Sequence, residues 1–285
     1  MLQYDVAMTA IPAKLHEAFE KIRLGKVEEG TRLFDRVEGC DAIKSAALAE
    51  LSYFRHDWKR GMQFLRDFLA SPEDWETVRY IIGGYKESHF TLFVLCTCFL
   101  DSWKESRSYL QQIKKQYDYY KPYHQVVSLI SDPENTKRRL LESRPKLKEN
   151  GTVDLEALEH KAGKVVPEHR SKRIARRWRE PLSFDALIHE AYVKISTTDH
   201  IAFYERYTDR LEKAESHQEA AKSYIALENE QEAKGAIRRY MRCWQFKEPY
   251  QVAPIVLFAD NELWAIMSDQ RFTESLLVIP HNRES

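Results

Sequence analysis

Residues 221–240 read AKSYIALENEQEAKGAIRRY, and the fold is decided there. Ala221, Tyr224 and Ile225 recur at helical spacing, as do Ala233, Ile237 and Tyr240. The polar Glu228-Asn229-Glu230 splits the two runs into an antiparallel helix pair. Ala221 and Ala233 are 12 apart, and small residues at such matched positions let two helix backbones approach closely. Ile237 and Tyr240 then fill the groove one turn later. A pair of this kind cannot bury its own apolar side, so it has to stack on a neighbour.

The same reading extends outward. Leu15, Ala18, Phe19 and Ile22 form a stripe that breaks at Gly25 and resumes with Leu33, Phe34 and Val37, with Ala18 and Gly30 as the small pair. Ala46, Ala47 and Leu51 precede the polar Arg55-His56-Asp57, and Met62, Leu65, Phe68 and Leu69 follow it, with Ala49 and Gly61 as the small pair. Phe90 to Trp103 and Ser108 to Tyr117 make a further pair that fits less well, because Ser106 or Arg107 falls where a small residue is expected. Strand signals are weak; Val252 to Phe258 is the one candidate, and Pro254 interrupts it.

On these residues the chain resembles the tetratricopeptide-repeat family, whose unit of about 34 residues pairs two helices in this way. The resemblance is best in Ala221 to Tyr240 and fair in Ala18 to Val37 and Ala49 to Phe68. The closing proline of the family's unit is missing after Val37, and Pro72 and Pro249 only approximate it. The fold expected is all-α, with stacked antiparallel helix pairs in a curved, tetratricopeptide-like solenoid. The resemblance implies a non-enzymatic module that binds another protein or peptide in its concave groove, in an adaptor, regulatory or toxin-neutralising (immunity) role.

Composition agrees with a folded helical chain. The 285 residues are 43% hydrophobic, with only 9 Gly and 10 Pro, which excludes disordered and fibrous classes. The 44 basic and 44 acidic residues balance, so no net charge recruits a polyanion or a membrane surface. The longest near-apolar run, Phe90 to Leu100, is shorter than the roughly 20 residues of a membrane span and reads as a buried helix. Met1 to Ala10 has no Lys or Arg and does not read as a signal peptide, so the expected location is cytoplasmic. Cys40, Cys96, Cys98 and Cys243 read as reduced thiols, since Cys96 and Cys98 point about 200° apart on a helix and make a poor metal pair.

Three regions are expected: a helical-repeat lobe at 1–130, a charged connecting segment at 131–180 and a second helical-repeat lobe at 181–285. The middle one follows from the absence of any aromatic residue between Tyr123 and Trp178, together with Pro133, Pro145, Pro167 and the basic runs at Lys137–Arg139 and Arg144–Lys148. Leu155 and Leu158 mark a short helix behind Asp154, and Asn150-Gly151-Thr152 reads as a turn. Beyond Leu182, Phe184, Leu187, Ile188, Ala191, Tyr192 and Ile195 form a helical stripe, and Thr197 or Thr198 would cap a helix carrying Ile201, Tyr204 and Leu211. Two short helices behind Asp260 and Ser268 would cap the last repeat.

Catalytic spacing is missing. Gly83-Gly84 is followed by no Lys-Ser/Thr, and His189-Glu190 has Val193 where a second zinc-binding His would stand. Asp185 and His189 share a helical face, which could orient an imidazole for base catalysis, but read first as a surface hydrogen-bonded pair. No catalytic residue, metal ligand or cofactor is therefore assigned, although a site assembled from distant residues would not be visible in spacing. Two candidate surfaces remain. Arg170, Lys172, Arg173, Arg176, Arg177 and Arg179 place six cations in ten residues, with Ile174 and Trp178 on one edge. The segment 164–179 either pairs internally with acids such as Asp154, Glu156 and Glu159, or contacts nucleic-acid phosphates with Trp178 stacked on a base. Tyr117, Tyr119, Tyr120 and Tyr123 cannot all face a core, because neighbours on a helix diverge by about 100°. They read as half-buried packing or as a partner-binding surface.

Overall fold

The computed structural model describes residues 12–71, 85–150, 152–163, 165–166, 168–179, 184, 187–188, 191, 212–245 and 251–281. They form an all-α protein with thirteen substantial helices. The first three pairs are α1 (Ala13–Arg23) with α2 (Val27–Phe34), α3 (Asp41–Phe54) with α4 (Trp58–Ala70), and α5 (Tyr85–Phe99) with α6 (Trp103–Gln112). Then come α7 (Lys114–Tyr117), α8 (Lys121–Ser131), α9 (Pro133–Glu142), α10 (Leu155–Ala162) and α11 (Glu168–Arg179). The fourth pair is α12 (Glu212–Ala226) with α13 (Glu230–Cys243). Short helices α14 (Val256–Ala259), α15 (Trp264–Met267) and α16 (Gln270–Leu276) complete the described chain. Most of the apolar stripe at 184–195, and the helix expected through Leu211, lie outside the described residues.

Each of the four pairs turns in the same way. The turn centres on a left-handed residue: Gly25 (φ 78°), His56 (φ 53°), Asp101 (φ 47°) and Glu228 (φ 60°). The residue after it closes a 6→1 hydrogen bond on the preceding helix. Lys26 donates to the Lys21 carbonyl (2.9 Å), Asp57 to Ser52 (2.9 Å), Ser102 to Thr97 (3.1 Å) and Asn229 to Tyr224 (2.9 Å). This is a Schellman ending, which satisfies carbonyls that the last helical turn leaves open. Two of the turns also start the next helix, since Asp57 accepts from the Arg60 N–H (3.1 Å) and Asn229 from the Glu232 N–H (3.2 Å).

Aligned on that left-handed residue, the four pairs share one packing register. Ala18, Ala49, Val94 and Ala221 are buried on the first helices, and Gly30, Gly61, Ser106 and Ala233 are buried on the second; Gly30 lies against Ala18 and Gly61 against Ala49. Phe34, Leu65, Leu110 and Ile237 follow, then Val37, Phe68, Ile113 and Tyr240, all buried. The helices approach more closely in the first pair than in the second: a Cβ on Gly30 would sit 2.6 Å from the Ala18 carbonyl oxygen, one on Gly61 3.9 Å from that of Ala49. The third pair, ambiguous in sequence, uses Ser106. It is fully buried, and its hydroxyl is satisfied by the Thr97 hydroxyl at 2.7 Å, which itself donates to the Phe93 carbonyl. A hydroxyl is tolerated at a small-residue position because it has a partner.

The middle of the chain is helical as well. Asp132 ends α8 and caps α9, accepting from the Asn135 N–H (3.0 Å) with Pro133 at the first helical position. A single antiparallel bridge, Leu147 to Val153, flanks the turn at Asn150; among the described residues there is no strand. The stretch Val252 to Phe258, the one candidate strand, instead enters α14. Cys96 and Cys98 are buried in α5, and neither forms a disulfide.

Residues 251–281 do more than cover α13. They lie across the turn ends of the first three pairs. Phe258 packs edge-on against Tyr53 (4.6 Å) and Phe54 (4.9 Å). His56, Trp58, Phe99 and Trp264 form a stack with centroid spacings of 4.7, 4.4 and 5.3 Å. A Cβ on Gly25 would meet the Val278 carbonyl oxygen at 2.4 Å, so a backbone seated there excludes any side chain. One hydrophobic cluster thus includes Leu15 of α1 and Leu277 at the other end.

Candidate interaction surfaces

The tyrosine run divides at its shortest helix. Tyr117 ends α7 fully buried, and its hydroxyl donates to the Leu69 carbonyl (3.1 Å). Tyr123 is buried in α8 and donates to the Leu110 carbonyl (2.8 Å). Both rings and that of Tyr120 surround Phe90, at 5.3, 6.2 and 5.9 Å. Burial pushes both the Tyr117 and the Tyr123 hydroxyl above the ordinary phenol value, so they stay neutral donors. Tyr119 is 66% exposed, because the turn after α7 swings it to the opposite side. Three of the four rings therefore brace α5 against α8, and Tyr119 presents its ring to solvent.

The basic helix α11 docks on α12 through its arginines. Arg173 is 7% exposed and lies 3.2 Å from both Glu219 and Glu262. It also donates to the Glu219 carbonyl and the Ser223 hydroxyl, each at 3.4 Å. Lys222 bridges Asp260 (2.6 Å) and Glu219 (2.7 Å), and Gln218 donates to Asp260 (3.0 Å). Burial alone would lower the Lys222 pKa, but Asp260 and Glu219 overcome it and hold it above the ordinary lysine value. Burial likewise works to raise Glu219, and Lys222 and Arg173 overcome it and hold its carboxyl below the usual range. Arg176 donates to the Ile225 carbonyl and lies 3.9 Å from Glu228, while Lys172 pairs with Glu168 on the exposed side (2.7 Å).

The acids that hold Arg173 come from α12 and the turn after α14, not from the stretch before α11. Asp154 caps α10 through the Ala157 N–H (3.2 Å), and Glu159 accepts from the Val166 N–H (3.4 Å). The side chains of Arg170, Arg177, Trp178 and Arg179 lie outside the described residues, as do Asp185 and His189.

Two charged groups that periodicity passes over anchor the C-terminal segment. Glu50 has no exposed surface, and its carboxylate accepts from the N–H groups of Val252 (2.9 Å) and Ala253 (3.1 Å). Arg23, 4% exposed, donates from Nε and Nη2 to the Gln251 carbonyl (3.1 Å each) and pairs with Glu20 (3.0 Å). Together they grip both polarities of one extended stretch of backbone. The signal for Glu50 was an acid at a core position of a helix lined with Ala46, Ala47 and Ala49; Arg23 follows core Ile22 in the same way. Beside this seam a cleft of about 490 Å³ is lined by Gly25, Val27, Glu28, Arg55, Glu274 and Val278. Its charges are mixed, and Arg55 is bonded to Glu28 (2.6 Å).

Among the described residues no three His, Cys, Asp or Glu side chains are grouped as a metal site requires, and no helix is long and apolar enough to cross a membrane. No family model, curated protein or solved structure matches the chain.

Proposed function

We propose that this chain is a tetratricopeptide-like repeat protein that binds another protein or peptide and catalyses no reaction. The observation that carries the reading is the common spacing of four helix pairs, each with the same left-handed turn, a small buried residue on the second helix and a large apolar filler after it. Pairs built alike stack alike, and a stack of such pairs presents an extended concave face suited to a peptide or a partner helix. The adaptor, regulatory and toxin-neutralising roles that go with the family resemblance are all of this kind. Affinity capture from the native source, followed by reconstitution with the purified partner, tests it. A stoichiometric complex with cross-links on the first helices of the pairs is expected. A small-molecule turnover activity belonging to the pure chain overturns it.

The competing reading places nucleic acid on segment 164–179. The engagement of Arg173 and Arg176 by α12 weighs against it, because phosphate contact would strip Arg173 from two carboxylates and Arg176 from the Ile225 carbonyl. If the segment does bind a random oligonucleotide pool, neutralising Arg173, Arg176 and Arg177 flattens the salt dependence by about one unit of log K per lost phosphate contact. Absence of a gel shift at low salt and micromolar protein retires it.

A further inference from the structure

Two histidines face the seam between the C-terminal segment and the first three helix pairs, one from each side. His281 lies on the segment. Its Nδ1–H donates to the Met241 carbonyl (2.8 Å), its backbone N–H donates to the Arg23 carbonyl (2.9 Å), and its ring packs edge-on against Trp244 (4.9 Å). The charged groups around it are the Arg23 guanidinium with Glu20 from α1 and the Glu50 carboxylate from α3, which holds the neighbouring backbone. The segment itself adds the Val252 carbonyl. Burial is the largest influence and lowers proton affinity; the Met241 carbonyl opposes it, Arg23 reinforces it, and the Val252 carbonyl opposes it again. The net result is a ring held below its ordinary value of 6.5.

His56 faces the seam from the turn between α3 and α4. It stacks on Trp58, meets the Thr273 hydroxyl at 3.2 Å and has the Met267 carbonyl, Glu274 and Asp269 around it. Burial outweighs those three and also holds this ring below 6.5.

We propose that the seam is an acid-opened latch, in which proton uptake by His281 and His56 releases the C-terminal segment while the first three helix pairs stay folded. In the closed form both rings are neutral and partly buried, and Arg23 already places one buried cation beside His281. A protonated His281 would add a second. Once the segment lifts, both rings hydrate and titrate near 6.5. The open form therefore binds more protons just below that value, and closure weakens as pH falls through it, by up to tenfold per pH unit for each ring. Above pH 7 the latch is insensitive. The latch requires no partner, so its failure would leave the binding reading untouched.

The test uses the full-length chain. Histidine ring resonances are titrated by NMR, and amide exchange, corrected for its intrinsic pH dependence, is followed from pH 7.5 to 5.5. Both rings are expected to titrate below 6.5, with protection lost in 251–281 while 41–70 retains it. His281→Gln and His56→Gln should each flatten the pH dependence of protection in that segment. Titration of His281 at or above 6.5, protection unchanged with pH, or loss spread equally through 41–70 overturns the latch. Full pH dependence retained in both variants overturns it as well.

Discussion

Glu50 shows how one buried charge can carry a long-range contact. A carboxylate with no exposed surface is costly unless it is fully bonded, and here two backbone N–H groups approach it. Both N–H groups reach one oxygen, Oε2; an amide oxygen can stand in its place but gives up the negative charge that strengthens both bonds. Glu50→Gln should therefore destabilise the chain by about 1–3 kcal/mol, read from the urea midpoint. An unchanged midpoint would mean that the clamp on Val252 and Ala253 contributes little.

Helix pairing rests on how closely two backbones approach, which differs among pairs that share a register. On Gly30 a Cβ would meet the Ala18 carbonyl oxygen at 2.6 Å, a backbone atom that cannot swing away. On Gly61 the nearest atom would be the Cys96 sulfur at 3.5 Å, an ordinary contact. Gly30→Ala should cost about 1–3 kcal/mol through overpacking, whereas Gly61→Ala should gain about 0.5–1 kcal/mol of helix propensity. Parallel denaturation curves check the pair, and effects of the same sign would contradict the register. The turns give a further case. Glu228 holds a left-handed conformation that disfavours non-glycine residues by about 1–2 kcal/mol, and its contact with Arg176 is long at 3.9 Å. Glu228→Gly should raise the melting temperature slightly, since the greater freedom of glycine in the unfolded chain offsets part of the gain.

Charge closes the molecule where apolar packing thins. Arg173, Glu219, Lys222, Asp260 and Glu262 join α11, α12 and the turn after α14 in one network. Removing the cation leaves carboxylates facing each other in a partly dry site. Arg173→Gln should lower stability by about 1–3 kcal/mol, less than a fully buried pair would cost because Glu219 is more than half exposed, without creating or abolishing oligonucleotide retention. A loss of retention with unchanged stability would favour the nucleic-acid reading instead. The pH profile follows from the same groups. Glu219 is held below its ordinary 4.5, so its contribution is complete above that pH and is lost as pH falls through its lowered folded value. Lys222 is held above 10.5, so its contribution is present below that pH and is lost as pH rises through its folded value. Thermal melts across pH should show a plateau near neutrality with decline on both sides.

The helix pairs and their small-residue contacts were legible in sequence because the rules behind them are local. A period of 3.6, a polar turn and a small residue on each side of it all lie within about 20 positions. Ser106 was ambiguous because its fitness depends on a hydroxyl partner, Thr97, that periodicity does not score. The tyrosine run was legible only as a divergence of neighbours. That Tyr119 is the solvent-facing ring follows from where α7 ends, which the packing of Tyr117 and Tyr123 around Phe90 decides. The partners of Arg173, and the seating of the C-terminal segment on Arg23 and Glu50, were not legible at all. Those contacts join residues from 46 to 228 positions apart. Hydrophobic periodicity says which face of a helix must leave water, and by itself it determined the helices, their pairing and their buried stripes. Only the tertiary structure decided what each face and each buried charge meets, because burial and ion pairing reward proximity in space and leave no period in the chain.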